Sequence, residues 1–231
     1  MTTMKLSNKI LIGFFGFILI YMMAAFTEIR VRGYKRDLSG TEVQVEKAPL
    51  GNVGYIVLSD SELRVTISSS NEPHIEVKSI DGSFLSSLNY EMTGDTLHLK
   101  INEIISGKPV QVTVFVTENT FRGLQATRAS ASITKFSQPT LSITQSGGSI
   151  RMDGDVNVTS LSIAASDNAN LDASGLSVNS LSVQMDDSKV MIWSPVVQLR
   201  GSILNDSFLR IDGVDDIQFT KDKSSKIQIQ D

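Results

Sequence analysis

One tripeptide constrains this chain more than any other feature. Leu141-Ser142-Ile143 returns as Leu161-Ser162-Ile163 and again as Leu181-Ser182-Val183, a spacing of 20 residues each time (161 − 141 and 181 − 161). Each unit then continues in the same order. A second apolar pair follows (Ile150/Met152, Leu171/Ala173, Val190/Ile192), and a third begins at Val156, Leu176 and Val196. Turn residues close the second pair in every unit, as Asp153-Gly154, Ser174-Gly175 and Ser194-Pro195. Alternation of period two puts Leu141 and Ile143 on one side of a strand and Ser142 on the other. A unit built only of short strands and turns cannot bury its own apolar side, so successive units must stack. The expected fold class is all-β: a single parallel β-helix, or β-solenoid, of ~20-residue coils with about three strands per coil and a rise of about 4.8 Å. Residues 53–230 would then make roughly eight coils about 40 Å long.

Ahead of the repeat, residues 10–26 are an unbroken apolar run, ILIGFFGFILIYMMAAF. As a helix it is about 26 Å long at 1.5 Å per residue, close to a hydrocarbon core of about 30 Å. Lys9 and Arg30 can snorkel at its ends. The rival reading, a cleaved signal peptide, fits less well: the run is long for such a segment, and Met22-Met23-Ala24-Ala25-Phe26 offers no good cleavage site. The expected order is a short basic leader (1–9), a transmembrane signal-anchor helix (10–27), a juxtamembrane tether (28–52) and the β-helix (53–231). Lys5 and Lys9 precede the span and Arg30, Arg32, Lys35 and Arg36 follow it. That charge count argues for a cytoplasmic β-helix, while the export-signal grammar of the leader argues for the opposite side. We place the β-helix on the non-cytoplasmic side of the inner membrane, in the cell envelope, with Arg30–Arg36 as a headgroup anchor.

From Val53 onward, period-two segments at Tyr55–Leu58, Leu63–Ser68, Ile75–Ser79, Leu88–Met92, Thr96–Ile101 and Val110–Val116 read as strands between turn clusters. Residues 81–87 hold a short helical turn or a loop. Lys226–Gln230 reads as the last strand, and Lys221, Asp222, Lys223 and Lys226 guard its edge with charge.

The arrangement resembles the GIN domain, the auto-transporter adhesin head domain of bacterial envelope proteins. The resemblance rests on the N-terminal hydrophobic segment, on Ile75-Glu76-Val77-Lys78 with a linker into Leu88-Asn89-Tyr90-Glu91-Met92, on Gly94-Asp95-Thr96-Leu97-His98-Leu99, and on the repeated coils. It covers most of Val53 to Asp231. It implies an exported β-solenoid without assigned catalytic residues. The turns depart from the family's Gly-Ser-Gly style, being acidic here, as in Asp186-Asp187-Ser188.

Candidate chemistry is sparse. The formal charge of −4 argues against a nucleic-acid partner, which needs a basic face. With no cysteine and two histidines, His74 and His98, the chain offers no ligand set of metal-binding spacing. Gly147–Asp153 has only a faint likeness to a calcium-binding β-roll repeat and does not recur. No phosphate-binding loop or nucleophile elbow occurs, so no cofactor and no catalytic residue are expected. Two surface features stand out. Asp167, Asp187 and Asp206 fall on the same turn of successive coils, where stacked carboxylates would raise a pKa or hold a cation; as turn residues, Asp also simply suits its own backbone. Met191 and Trp193 alternate outward from Val190 and Ile192, and Trp193, the only tryptophan, suits a glycan or a protein partner. The expected function is a membrane-anchored, non-enzymatic adhesion, scaffolding or assembly protein. The alternative is a carbohydrate-active enzyme or carbohydrate-binding protein that uses the Asp column.

Overall fold

The computed structural model describes residues 14, 18, 21, 22, 43–61, 63–80, 84–100 and 110–230. The chain separates into two units, Met1–Glu42 and Val43–Asp231. In the first unit Phe14, Ile18, Tyr21 and Met22 are helical and exposed. The rest of the apolar run, and with it the expected span, its basic flanks and its orientation, lies outside the described residues. Among the described residues no helix is long and apolar enough to cross a membrane.

The second unit is built from strands. The irregular half holds β1 (Gln44–Pro49), β2 (Tyr55–Ser59), β3 (Arg64–Ser69), β4 (His74–Ser79), β5 (Asn89–Thr93), β6 (Thr96–Lys100), β7 (Gln111–Val116) and β8 (Gly123–Thr127). A 3-10 turn, Leu85–Ser87, precedes β5. The regular half holds β9 (Ser130–Ser146), β10 (Ser149–Ser166), β11 (Ala169–Ala173), β12 (Leu176–Asp186), β13 (Ser188–Ile192), β14 (Val196–Leu204), β15 (Phe208–Ile211), β16 (Val214–Lys221) and β17 (Lys226–Ile229).

In the regular half each coil has three faces, and the apolar pairs of the repeat stack in register. On the front face Leu141, Leu161, Leu181, Leu199 and Ile217 pair rung to rung. On the back face Ile150, Leu171, Val190, Leu209 and Ile227 do the same. A short face carries Phe136, Val156 and Leu176. All pairings here are parallel. Leu141, Ile143, Leu161, Ile163, Leu181 and Val183 are all buried, as the alternation requires. The front column ends on Ile217, which is 46 % exposed because it lies on the last front strand.

The solenoid makes about five turns, not the eight expected from length alone. The difference lies in the first half, where strands do not stack in chain order. The front ladder runs β5-β6-β2-β8-β9, and the back ladder runs β1-β4-β7-β3-β9. The coil made by β2 and β3 is therefore slotted between β6–β7 on one side and β8–β9 on the other. Three of these contacts, β1–β4, β4–β7 and β5–β6, are antiparallel. Antiparallel hairpin strands at the end of a parallel stack occupy the free edge that a further coil would use. Part of the expected tether is itself structured, since Gln44–Pro49 forms β1 against β4.

Glu76 shows how this cap is held. It lies on β4, almost fully buried, with Nζ of Lys47 and of Lys78 each 3.1 Å from its carboxylate. Burial pushes the carboxyl pKa up, but the hydrogen bonds and charge of the two lysines outweigh it, and the net value is lowered.

Candidate functional site

The corner between front and back faces is where the acidic column was expected. Its residues adopt left-handed backbone: Asp60, Arg128, Asp167, Asn168, Asp187, Asn205 and Asp206 all have φ between +46° and +60°. The same corner of the β9–β10 coil uses Gly147 and Gly148, with φ +68° and +73°. A Cβ on Gly148 would lie 2.1 Å from the Ala129 carbonyl oxygen of the preceding coil, so only glycine fits there. Asp and Asn tolerate this conformation better than other residues with a Cβ. Their recurrence is a backbone requirement.

The register corrects the column itself. Ala165, Met185 and Ile203 pair across the front face, so two residues later the equivalents are Asp167, Asp187 and Asn205. Counting back from the paired back-face residues, the equivalents are Asn168, Asp187 and Asp206. The corner is two residues long at 167–168, one at 187 and two at 205–206. The three aspartates share a corner without forming one ladder. Asp167 is also shifted opposite to what stacked repulsion predicts: the hydroxyls of Ser146 (2.6 Å) and Ser166 (2.9 Å) donate to it and hold its carboxyl below the usual range. Asp222, on the last such corner, behaves likewise. Hydrogen bonds from Ser225, from the Asn205 N–H and from Ser224 hold it well below that range. These carboxylates cap turns. Among the described residues no cluster of three or more acidic or histidine side chains is placed to hold a metal ion.

Both histidines lie on the outward side of their strands, His98 exposed on β6 and His74 on β4 opposite the buried Ile75 and Val77. His74 is half-buried and stacked on Phe115, its cross-strand partner, with ring centroids 4.4 Å apart. Its Nδ1 lies 2.7 Å from the Glu72 carbonyl oxygen.

The outward strand of Met191 and Trp193 carries a composed cluster. Val190 and Ile192 are fully buried, Met191 is half-buried, and Trp193 is 38 % exposed just beyond β13. The indole N–H donates to Asp172 Oδ1 at 2.8 Å, one coil back. From the next coil Arg210 lays its guanidinium 3.9 Å from the ring centroid, within cation–π range. Arg210 also bonds Gln230 and sits 3.7 Å from Asp212. Three successive coils therefore fix one indole. Met191 pairs in register with Asp172 and Arg210, which completes an outward patch. Lys189 and Phe208 extend it, with the ammonium 5.9 Å from the ring.

A third aromatic–cation pair lies on the front face and was not singled out from sequence. Tyr55 is 40 % exposed, Arg122 stands 4.8 Å from its ring centroid, and Arg122 is ion-paired to Asp95. Gly123 makes this possible, because a Cβ there would come within 3.3 Å of the Tyr55 ring. The pairing joins residues 67 apart (122 − 55), which no local pattern can reveal.

Residues 56–230 match the family model described as "Putative auto-transporter adhesin, head GIN domain". Among solved structures the chain is similar to a "putative adhesin" from Bacteroides fragilis, with TM-score 0.59 and 11 % identity, covering 81 % of this chain and 97 % of that one. It is also similar to a "putative lipid binding protein" from Parabacteroides distasonis, with TM-score 0.50 and 14 % identity, covering 83 % and 98 %. At such identities these likenesses speak for the fold. A comparison with proteins of curated function returned no match.

Proposed function

The chain belongs to the family of auto-transporter adhesin head GIN domains, and on that premise we propose that it is a non-enzymatic binding head of the bacterial cell envelope. The N-terminal apolar segment tethers it to the inner membrane, and the β-solenoid stands on the non-cytoplasmic side. Its contact surface is the back-face patch around Trp193, and its partner is a glycan or a protein. The observation that carries this reading is the clamping of Trp193 by Asp172 and Arg210 from the two flanking coils. An indole held rigid while more than a third exposed has little side-chain entropy left to lose on binding. Aromatic and Arg side chains are the residues most often dominant at binding surfaces.

The enzyme alternative loses support from the corner geometry. Its three aspartates all sit in left-handed turns, the Asp167 carboxylate accepts from the Ser146 and Ser166 hydroxyls, and the three do not share a ladder. The test uses the purified full chain, coated on a surface, with Trp193→Ala and Arg210→Ala. Both variants are expected to keep the thermal melt within a few degrees and to weaken attachment of glycan-coated beads or of envelope proteins to the coat at least tenfold. Unchanged attachment by both variants would remove the patch from the function. Release of the protein from membranes after deletion of residues 10–26, but not before it, tests the tether.

A further inference from the structure

The last coil leaves the core open. Its front strand β16 pairs only with β14 and its back strand β17 only with β15, so one edge of each is unpaired among the described residues. The inward columns end there on large apolar side chains. Ile217 follows the fully buried Leu199 and is 46 % exposed, and Ile229 follows the fully buried Ile211 and is 39 % exposed. Phe219 and Ile227, on the same two strands, are only half-buried. At the other end of the stack antiparallel strands close the parallel ladders. An open backbone edge beside uncovered apolar side chains is a template for another strand.

The charges of β16 select which strand. It reads Val214-Asp215-Asp216-Ile217-Gln218-Phe219-Thr220-Lys221, acidic near its start and basic at its end. A parallel copy in register would set aspartate on aspartate and lysine on lysine, which opposes pairing. An antiparallel copy turned about Gln218 sets Asp215 of each chain across from Lys221 of the other, and Ile217 across from Phe219. The backbone agrees with that register. The Asp222 N–H donates to the Ile203 carbonyl oxygen, and backbone groups alternate sides along a strand, so Ile217, Phe219 and Lys221 turn theirs to the open edge. The turn about Gln218 brings these same residues opposite one another. Lysines that guard the edge against an arbitrary strand therefore admit this one. We infer that the open edge of the last coil is the contact between two copies of this chain, joined end to end by a two-fold axis with β16 antiparallel to its counterpart. The uncovered ends of the two cores then cover each other. This goes beyond the Trp193 patch and does not depend on it.

Sedimentation of the purified full chain in density-matched detergent micelles tests the contact, and a dimer is expected at micromolar concentration. Asp215→Lys and Lys221→Asp each oppose like charges and are expected to weaken dimerisation at least tenfold. An equimolar mixture of the two variants restores opposite charges at both contacts and is expected to regain it. The chain has no cysteine of its own. Gln218→Cys is expected to form a disulfide between copies on mild oxidation, because Cα atoms at a non-hydrogen-bonded cross-strand pair lie about 4.5 Å apart, within disulfide reach. Thr220→Cys is expected to form none, since its two copies would stand about 14 Å apart along the strand. All four positions are exposed, so the melting temperature should hold within a few degrees. The Lys221 ammonium lies 3.2 Å from the Asp222 carbonyl oxygen and 3.4 Å from that of Ser225; should its replacement unfold the coil, the cysteine pair decides alone. A monomer throughout overturns the inference. So does a dimer that both charge reversals leave intact, a mixture no stronger than its components, or equal cross-linking of the two cysteine variants.

Discussion

Leu161→Ala tests the stack where it is most regular. Leu161 is 1 % exposed, with Leu141 and Leu181 as its register partners in the coils on either side. Truncation removes three carbons from the core, worth about 2.4 kcal/mol at about 0.8 kcal/mol per buried methylene. The neighbours cannot close the gap, because the rung spacing is fixed by parallel ladder hydrogen bonds on both sides. A residual cavity of about 60 Å³ at about 24 cal/mol per Å³ adds about 1.4 kcal/mol. The expected loss is therefore about 4 kcal/mol, towards the upper end of such substitutions. Urea titration read by Trp193 fluorescence and by far-ultraviolet circular dichroism measures it. The single tryptophan lies one coil beyond Leu161 and reports through its contacts to residues 172 and 210. Val197→Ala, at a position 47 % exposed, is the control and should cost less than about 0.5 kcal/mol. A Leu161→Ala loss below about 1 kcal/mol would mean that the coils relax around the gap, and the argument from fixed rungs would fail.

Glu76 makes the cap sensitive to acid. Its folded pKa lies below its ordinary 4.5, so the stabilisation is present above that value and disappears as pH falls through the lower folded one. Glu76→Gln should cost about 1–2 kcal/mol at pH 7, discounted for the half-exposed lysines, and should flatten the fall in melting temperature as the pH drops below 4.5. At the corner, Gly148→Ala should cost at least about 2 kcal/mol, from left-handed strain plus the clash with the Ala129 carbonyl. Asp187→Gly, at φ +46°, should be neutral or stabilising by up to about 1 kcal/mol, and paired urea midpoints check both. Acrylamide should quench Trp193 in the folded protein, and Arg210→Ala should raise the quenching by uncovering the ring.

The regular half was legible because its information is local. Leu141, Leu161 and Leu181 recur at a fixed spacing, alternation assigns their faces, and the register pairs them as read. Trp193 points outward for the same reason. The partners of its ring were hidden, since Asp172 and Arg210 are neighbours only after coils have stacked. The acidic corner shows a subtler limit. Twenty-residue arithmetic finds the turn, but cannot see that corners of two, one and two residues shift the aspartates out of one ladder. The buried, unpaired amide of Gln138 did leave a signal: it occupies the inward slot held by Val158 and Val178 in the following coils, and aligning the repeats exposes it. The first half was legible as strands but not as topology. Tyr55 pairs with Gly123 and Arg64 with Ser130, and alternation carries no instruction about partners so far away.

That insertion has a consequence for how the protein comes into being. The coil of β2 and β3 is made early in synthesis, yet its register partners on one flank come 68 and 66 residues later (123 − 55 and 130 − 64). Closing such long loops is slow compared with pairing coils 18 to 21 residues apart. The chain cannot wind up as it emerges. Structure has to begin in the serial coils around β10 and β12, and the part nearest the N-terminus is completed last, by capture of a strand pair that has waited unpaired. Pulsed hydrogen exchange should find amides of residues 149–186 protected before those of residues 55–69. Throughout that interval β2 and β3 present open edges, so the newly made chain is most exposed to a wrong partner in its first-made half.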